Sequence, residues 1–99
     1  MNIQELHTQD KPVSATCIFK SEHGNATVIQ ILHGGKLKEH ITKTPALLIC
    51  MEGEVVFENE NENGNGIKET LKSGDYVNIE PMVKHWIEGT IESQLILIK

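Results

Sequence analysis

Basic residues are scarce in this sequence. Nine Lys and Arg residues stand against fourteen Asp and Glu, and the formal net charge is -5 at pH 7. Nucleic-acid binding depends on clustered Lys and Arg side chains that displace counterions from phosphates, and the sequence has no such cluster. We therefore expect no nucleic-acid partner. The same shortage of positive charge argues against binding to acidic membrane lipids.

Long apolar runs are also missing. The longest unbroken apolar segment, residues 46–51, is far shorter than the roughly 20 residues that a membrane-spanning helix needs. The first residues, MNIQELH, lack the basic region and the apolar region that a secretory signal has in succession. We therefore expect no membrane partner and a cytoplasmic location.

The chain has only two cysteines and no clear helical pattern. Cys17 and Cys50 are too far apart for a CxxC pair, and each has apolar neighbours. We therefore expect two buried free thiols rather than a disulfide. No segment repeats apolar residues at spacings of three and four over three turns, so we predict no long helix.

The length of 99 residues limits the chain to one domain, residues 1–99, because a second domain would lack apolar residues for its own core. A domain of this size buries a modest share of its surface, and pairing with a second copy would bury more. We therefore expect a homodimer. Residues 1–13 show no clean period and contain Pro12, which suits an N-terminal arm or a short edge strand. The core is expected over residues 27–97.

What the sequence does have is a series of short segments that are typical of strands. They alternate apolar and polar residues or are rich in Val and Ile, and Gly, Pro and Asn separate them. The predicted strands are residues 14–20, 27–33, 36–44, 46–51, 54–59, 67–71, 76–80, 85–88 and 93–99. Many short strands at this spacing predict an all-β sandwich or barrel.

Two connections between these strands have distinctive compositions. Gly53 lies between two strand-like runs and is predicted to form a tight reversal. Residues 59–66 read NENENGNG, which is a polar, Gly-ended segment. We interpret it as a solvated hairpin loop rather than a calcium site, because calcium loops need carboxylates at set offsets between helices, and no helical period flanks it.

Two segments carry a resemblance to a known family. Residues 34–53 read GGKLKEHITKTPALLICMEG, and residues 74–85 read GDYVNIEPMVKH. Their spacing resembles the two motifs of the cupin superfamily. The matching residues are Gly34, His40 and Gly53 in the first segment and Gly74 and His85 in the second. The resemblance implies an all-β, cupin-type jelly-roll β-barrel, which is also called a double-stranded β-helix.

The sequence departs from the cupin pattern at the metal ligands. Cupins that bind a metal hold iron, manganese, nickel, copper or zinc with three His and one Glu or Gln. Only His40 and His85 match here, because Thr42 stands at the second His position and Ala46 at the Glu position. Thr is a poor ligand for these metals and Ala supplies none. The resemblance therefore implies either no cofactor or a weakly bound divalent transition metal held by His40 and His85.

The second motif also departs from the family pattern. Pro81 is displaced by one position, Met82 stands where the motif has a second Gly, and Gly89 stands where it has Asn. Cupins include dioxygenases, isomerases, epimerases, decarboxylases, storage proteins and sugar-binding sensor domains. The resemblance therefore implies a fold far more specifically than it implies an activity.

The resemblance also implies a pocket inside the barrel. Strand alternation places Leu48 and Cys50 on the same side of their strand. The predicted ligand-binding residues are His40, Thr42, Leu48, Cys50, Phe57 and His85, with Val55, Val77 and Ile79 as further apolar lining. An apolar cavity with a few polar groups is the usual composition of a small-molecule site. The predicted partner is therefore a small molecule of unknown identity.

Three functions remain open from the sequence. The first, which we carry forward, is a small-molecule-binding cupin without strong catalysis, because two of the four usual ligands are absent. The second is a metal-dependent enzyme of the dioxygenase or isomerase type, in which Cys50 or His33 completes the ligand set. The third is a structural or partner-binding module whose barrel is packed shut. Nucleophilic catalysis by Cys50 is a poorer option, since an apolar strand offers neither a base nor an activated thiolate.

Overall fold

A computed structural model describes residues 1–60 and 66–99 of the chain. These residues form a single turn of 3₁₀ helix at Ile3–Leu6 and nine strands, and they contain no α-helix. The strands are β1 (Val13–Lys20), β2 (Asn25–Ile31), β3 (Lys36–His40), β4 (Ala46–Glu52), β5 (Glu54–Asn59), β6 (Lys68–Lys72), β7 (Tyr76–Ile79), β8 (His85–Gly89) and β9 (Ser93–Ile98). No helix in this part of the chain is long and apolar enough to cross a membrane.

The strands form two antiparallel sheets. The first has the order β1-β2-β9-β4-β7 and the second has the order β3-β8-β5-β6. Alternate residues of β4, β5 and β9 point inward and are buried. The core cluster contains Ile29, Ile31, Ala46, Leu48, Cys50, Val55, Phe57, Leu71, Val77, Ile79, Ile87, Leu95 and Leu97. This arrangement confirms the predicted all-β jelly roll.

The tight reversal predicted at Gly53 is confirmed. Gly53 lies between β4 and β5 with φ at +102°, a conformation that L side chains rarely adopt. A Cβ at this position would collide with the Ser93 side chain. The Ser93 hydroxyl accepts a hydrogen bond from the Glu54 backbone N–H at 2.9 Å, so the turn is packed against β9. Only glycine fits this connection.

The third strand is shorter than predicted. β3 ends at His40, whereas the alternating pattern predicts a strand over residues 36–44. A register shift against β8 occurs between Leu37 and His40, which interrupts the regular ladder. Beyond His40 the Thr42 carbonyl accepts a hydrogen bond from the Met82 N–H at 2.8 Å. Thr42 therefore bonds to a turn rather than to a neighbouring strand.

The prediction that both thiols are buried is wrong for Cys17. Both cysteines are free, and Cys50 is buried, but Cys17 is exposed. Cys17 belongs to β1, which is the outermost strand of its sheet, and the register against β2 shifts between Cys17 and Phe19. The apolar residues around Cys17 therefore belong to an open sheet edge rather than to the core.

Two further predictions concern loops and termini. The region before β1 contains the 3₁₀ turn Ile3–Leu6, and the N-terminal arm or short edge strand expected over residues 1–13 stays a prediction. Residues 59–66 are predicted to form a solvated hairpin loop, and residues 61–65 of that segment lie outside the described residues. The choice between hairpin loop and calcium site stays a prediction.

Candidate functional site

The two histidines of the sequence motifs lie side by side. His40 ends β3, His85 begins β8, and the two residues are register partners in this antiparallel pair. Their Nε2 atoms are 2.8 Å apart, although the residues are 45 positions apart in the chain. The ring centroids are 4.0 Å apart and the rings meet at 64°, edge to face. Strand pairing therefore builds a compact imidazole pair.

Hydrogen bonds to the backbone fix the orientation of both rings. The His40 Nδ1 atom lies 3.1 Å from the Lys38 carbonyl oxygen, and the His85 Nδ1 atom lies 3.3 Å from the Val83 carbonyl oxygen. A carbonyl oxygen can only accept, so we infer that each Nδ1 carries a hydrogen and donates it. In the neutral rings, both Nε2 atoms then carry lone pairs, and these lone pairs face each other.

Two facing lone pairs at 2.8 Å repel unless something electron-poor lies between them. A single proton shared by the two Nε2 atoms meets this need, and so does a cation that binds both atoms. The alternative is to turn one ring into its other tautomer, but that places a lone pair of its Nδ1 against a carbonyl oxygen. The arrangement therefore brings two imidazole nitrogens together in a geometry that a shared proton or a cation would stabilise.

His85 is the more deeply placed of the two rings. Its side chain is 1% exposed, whereas His40 is half-buried. The Phe57 ring stacks beside His85 with centroids 5.9 Å apart. Burial lowers the pKa of His85 below its ordinary value, and the hydrogen bond to the Val83 carbonyl opposes this effect. The lowered pKa favours the neutral imidazole, which is the form that binds metal ions.

The Thr42 side chain is a second polar feature of this region. Thr42 is 4% exposed, and its Oγ1 atom has no hydrogen-bond partner among the residues that the structure describes. A buried polar group without a partner costs roughly 1–3 kcal/mol. A ligand or a water molecule that bonds to this hydroxyl would recover that free energy. Thr42, which stands where cupins have a second metal-binding His, is thus available for hydrogen bonding.

The turn before β8 has an unusual backbone at Met82. Its φ is +65°, in the left-handed region that costs a residue with a Cβ roughly 1–2 kcal/mol. Met82 stands at the motif position where cupins have Gly, so the family pattern anticipates this conformation. The Met82 N–H donates to the Thr42 carbonyl, and its side chain is exposed. The strained turn therefore ties the segment after β3 that carries Thr42 to the turn that precedes β8.

Three residues of the predicted pocket lining are fully buried. Leu48, Cys50 and Phe57 have no accessible surface and pack within the core cluster. They contact neighbouring core side chains rather than an open cavity, since a side chain beside water-sized space would have accessible surface. Their predicted role in ligand binding stays a prediction that finds no support in this packing. Phe57 is linked to the site only through its stacking against His85.

The suggested third metal ligands do not join the imidazole pair. The Cys50 thiol donates to the Glu52 carbonyl at 3.7 Å, and His33 is exposed just after β2. Over residues 1–60 and 66–99, no group of three or more His, Cys, Asp or Glu side chains is placed to hold a metal ion. Burial, together with the nearby Asp75 carboxylate, raises the pKa of Cys50, so this thiol also lacks the thiolate character of a nucleophile.

The sequence matches no family model and no curated protein, but solved structures share its fold. A cupin superfamily protein from Desulfitobacterium hafniense has a TM-score of 0.84 at 15% identity, over 98% of this chain and 84% of that chain. A conserved protein of unknown function from Streptococcus pyogenes has a TM-score of 0.80 at 13% identity, over 99% of this chain and 82% of that chain.

An enzyme is also among the similar structures. A variant of oxalate decarboxylase from Bacillus subtilis has a TM-score of 0.84 at 15% identity. The match covers 99% of this chain but only 28% of the oxalate decarboxylase chain. At these low identities the likeness shows the fold alone. It confirms the cupin jelly roll that the spacing of the two motifs predicts.

Proposed function

We propose that this chain, which has the cupin fold, binds a small anionic molecule at the site of His40, Thr42 and His85. The single observation that carries the proposal is the convergence of the two Nε2 atoms, which are 2.8 Å apart. Each ring is anchored by its other nitrogen, so the donor atoms are already oriented before anything binds. Because the donor atoms are preorganised, less conformational entropy is lost when a ligand binds.

A divalent transition metal suits the donor chemistry of this pair, because neutral imidazole is a good ligand for iron, nickel, copper and zinc. His40 and His85 would hold the ion. When bound, it would supply the positive charge that attracts an anionic small molecule. Catalytic zinc sites usually have three protein ligands, so two imidazoles are expected to retain a metal weakly. This shortage favours binding over strong catalysis as the proposed role.

The Thr42 hydroxyl supports the same proposal. It is buried, it has no hydrogen-bond partner in the described part of the chain, and it follows His40 by two residues. A hydroxyl can donate a hydrogen bond to an anionic oxygen and can also accept one. We therefore assign to Thr42 the role of a hydrogen-bonding group for the bound small molecule, while the imidazoles hold the cation.

A second candidate function rests on the packed interior. Leu48, Cys50 and Phe57 leave no accessible space around them, which favours a structural or partner-binding module. The two candidates differ at the rim of the barrel. A module needs neither an unpartnered buried hydroxyl nor two imidazole lone pairs that face each other, whereas a binding site uses both.

The proposal is tested by calorimetric titration of the protein with Ni²⁺ at pH 7.5. We expect weak binding in the wild type and at least about a tenfold loss of affinity in His40→Ala. His33→Ala is the matched control, because His33 is an exposed histidine outside the pair, and its affinity should be unchanged. Binding that survives both His40→Ala and His85→Ala would contradict the assignment of the site.

The anionic ligand is tested separately by nuclear magnetic resonance. Histidine ring ¹⁵N chemical shifts of the metal-free protein and of the Zn²⁺-loaded protein are recorded while acetate or succinate is added. We expect carboxylates to move the His40 and His85 signals only in the Zn²⁺-loaded protein, and Thr42→Val to reduce the carboxylate affinity. Signals that do not move in the loaded protein would contradict the anionic-ligand assignment and favour the structural module.

A further inference from the structure

The outward face of the first sheet carries a row of polar side chains. Directly opposite residues in the strand register lie on the same face of a sheet. The register places four polar residues in one line across β1, β2, β9 and β4, namely Ser14, Gln30, Gln94 and Glu52. Ile29 and Ile31, which flank Gln30, belong to the core cluster, so the row points away from the core. Gln30 and Gln94 are nevertheless only 3% and 5% exposed, so another part of the chain covers this row.

The segment before β1 covers the row. The Gln30 Nε2 atom donates to the Thr8 carbonyl at 3.1 Å, and the Gln4 Nε2 atom donates to a Glu52 carboxylate oxygen at 3.0 Å. Both contacts join positions that are far apart in the chain. Residues 2–8, which we call the N-terminal strap, therefore lie against the outward face, and polar contacts to β2 and β4 hold them there.

His7 makes a third contact between the strap and the row. Its Nδ1 atom lies 2.8 Å from the Ser14 hydroxyl oxygen, and its Nε2 atom is buried with no hydrogen-bond partner among the described residues. A hydroxyl can donate to a ring nitrogen or accept from it, so either neutral tautomer fits beside Ser14. A protonated ring has an N–H at both nitrogens, and its charge and second N–H would be buried without an acceptor. The closed strap therefore favours neutral His7.

We propose that the N-terminal strap is a pH-sensitive switch, which lies closed on the sheet while His7 is neutral and opens when His7 is protonated. The switch acts on the outward face of the sheet, so it is independent of the function assigned to His40 and His85. Burial lowers the pKa of His7 in the closed state, in agreement with its buried and unpartnered Nε2 atom.

The sign of the pH dependence follows from the lowered pKa. In the open strap His7 is solvated and its pKa is about 6.5, whereas in the closed strap its pKa is lower. The contribution of His7 to closing is fully present above a pH of about 6.5, and it is lost as the pH falls toward the closed-state pKa. The closing equilibrium constant then decreases by about tenfold for each pH unit that separates the two pKa values.

The elements packed against the strap contribute few titratable groups. β2 and β9 contain none. Those of β1 and β4 are Cys17 and Lys20, and Cys50 and Glu52, respectively. Those of the strap and the residues beside it are the Met1 amino group, Glu5, Asp10 and Lys11, which are exposed. Glu52 is the carboxylate that bonds to the strap, so its titration has to be separated from that of His7.

Nuclear magnetic resonance of the full chain tests the switch. Backbone ¹⁵N order parameters are about 0.85 for a rigid amide and below about 0.6 for a flexible one. We expect the strap amides of Ile3, Glu5 and Leu6 to be rigid at pH 7.5 and flexible at pH 5, while β2 stays rigid at both. Strap amides that remain rigid at pH 5, or that are already flexible at pH 7.5, would overturn the proposal.

Two variants separate His7 from Glu52. His7→Gln removes the titrating ring and keeps a side chain that can bond to Ser14, so its strap should stay closed at both pH values. Glu52→Gln is the matched control, because it removes the carboxylate and keeps an oxygen that can accept from Gln4. This variant should open at pH 5 as the wild type does. Opening that persists in His7→Gln and disappears in Glu52→Gln would assign the switch to the carboxylate and contradict the role of His7.

Titration of the His7 ring decides the proposal even if His7→Gln disturbs the closed strap. The ring should titrate below about 6.5 in the wild type, and Gln4→Ala, which removes the contact to Glu52, should shift its pKa upward. A His7 pKa that Gln4→Ala leaves unchanged would contradict the coupling to the strap. A wild-type pKa above 6.5 would overturn the proposal, and it would indicate that the buried Gln94 Oε1 atom, unpartnered among the described residues, accepts from the protonated ring.

Discussion

The rim of the barrel, with His40, Thr42 and His85, contrasts with the interior around Leu48 and Phe57. The interior residues have no accessible surface and belong to the core cluster, and Phe57 also stacks against His85. At the rim, a buried hydroxyl lacks a partner among the described residues, two imidazole Nε2 atoms lie 2.8 Å apart, and a backbone turn is strained. Stability comes from the interior, while the unsatisfied groups that a ligand could satisfy lie at the rim.

The largest change in the free energy of unfolding is expected from a substitution in the core. Phe57→Ala removes a fully buried aromatic side chain from the core and from its stacking against His85. We expect the free energy of unfolding to fall by roughly 3–5 kcal/mol. Urea denaturation followed by circular dichroism measures this loss. A loss below about 1 kcal/mol would mean that the interior is not packed as described.

A substitution at Thr42 should increase the free energy of unfolding. Thr42→Val replaces the unpartnered buried hydroxyl with a methyl group of similar size. In the ligand-free protein we expect a gain in the free energy of unfolding of about 1 kcal/mol, because no desolvated hydroxyl remains. The same urea experiment, run beside Thr44→Val as an exposed control, measures it. Destabilisation by Thr42→Val would show that the hydroxyl already has a partner.

His85 should make stability depend on pH. Its pKa is lowered in the folded protein by burial, so the unfolded chain binds a proton more readily than the folded chain does. The His85 contribution is fully present above the unfolded pKa of about 6.5, and it is lost as the pH falls from there toward the folded pKa. Urea midpoints between pH 8 and pH 5 measure this slope. His85→Gln should flatten it, whereas an unchanged slope would assign the pH dependence to another group.

The smallest effect is expected at the strained turn. Met82→Gly removes the Cβ that makes φ at +65° unfavourable, and it preserves the backbone N–H that bonds to Thr42. The relief of roughly 1–2 kcal/mol is partly offset by the greater freedom of glycine in the unfolded chain, so we expect a net gain of about 0.5 kcal/mol. Thermal unfolding checks the sign. Destabilisation would indicate that the exposed Met82 side chain stabilises the site by packing.

Most of the fold was accessible from the sequence, and part of the site was. The approximate strand positions and the reversal at Gly53 follow from local alternation and glycine placement, and motif spacing singled out His40 and His85. The sequence also pointed to Thr42, since Thr42 stands at a ligand position of the motif. The full burial of Leu48 and Cys50 could not be predicted, because alternation gives the side of a strand but not the space beside it. The cytoplasmic location and the absence of a nucleic-acid partner stay predictions.

By itself, the sequence determined approximately where the strands and turns lie, because alternation and glycine placement are properties of neighbouring residues, and its resemblance to the cupin motifs singled out His40 and His85. Only the tertiary structure decided that the two Nε2 atoms face each other and that β1 is an open edge with Cys17 exposed. These features depend on which distant strands pair and in what register. Packing across the whole molecule determines this pairing and register, and local sequence patterns do not specify them.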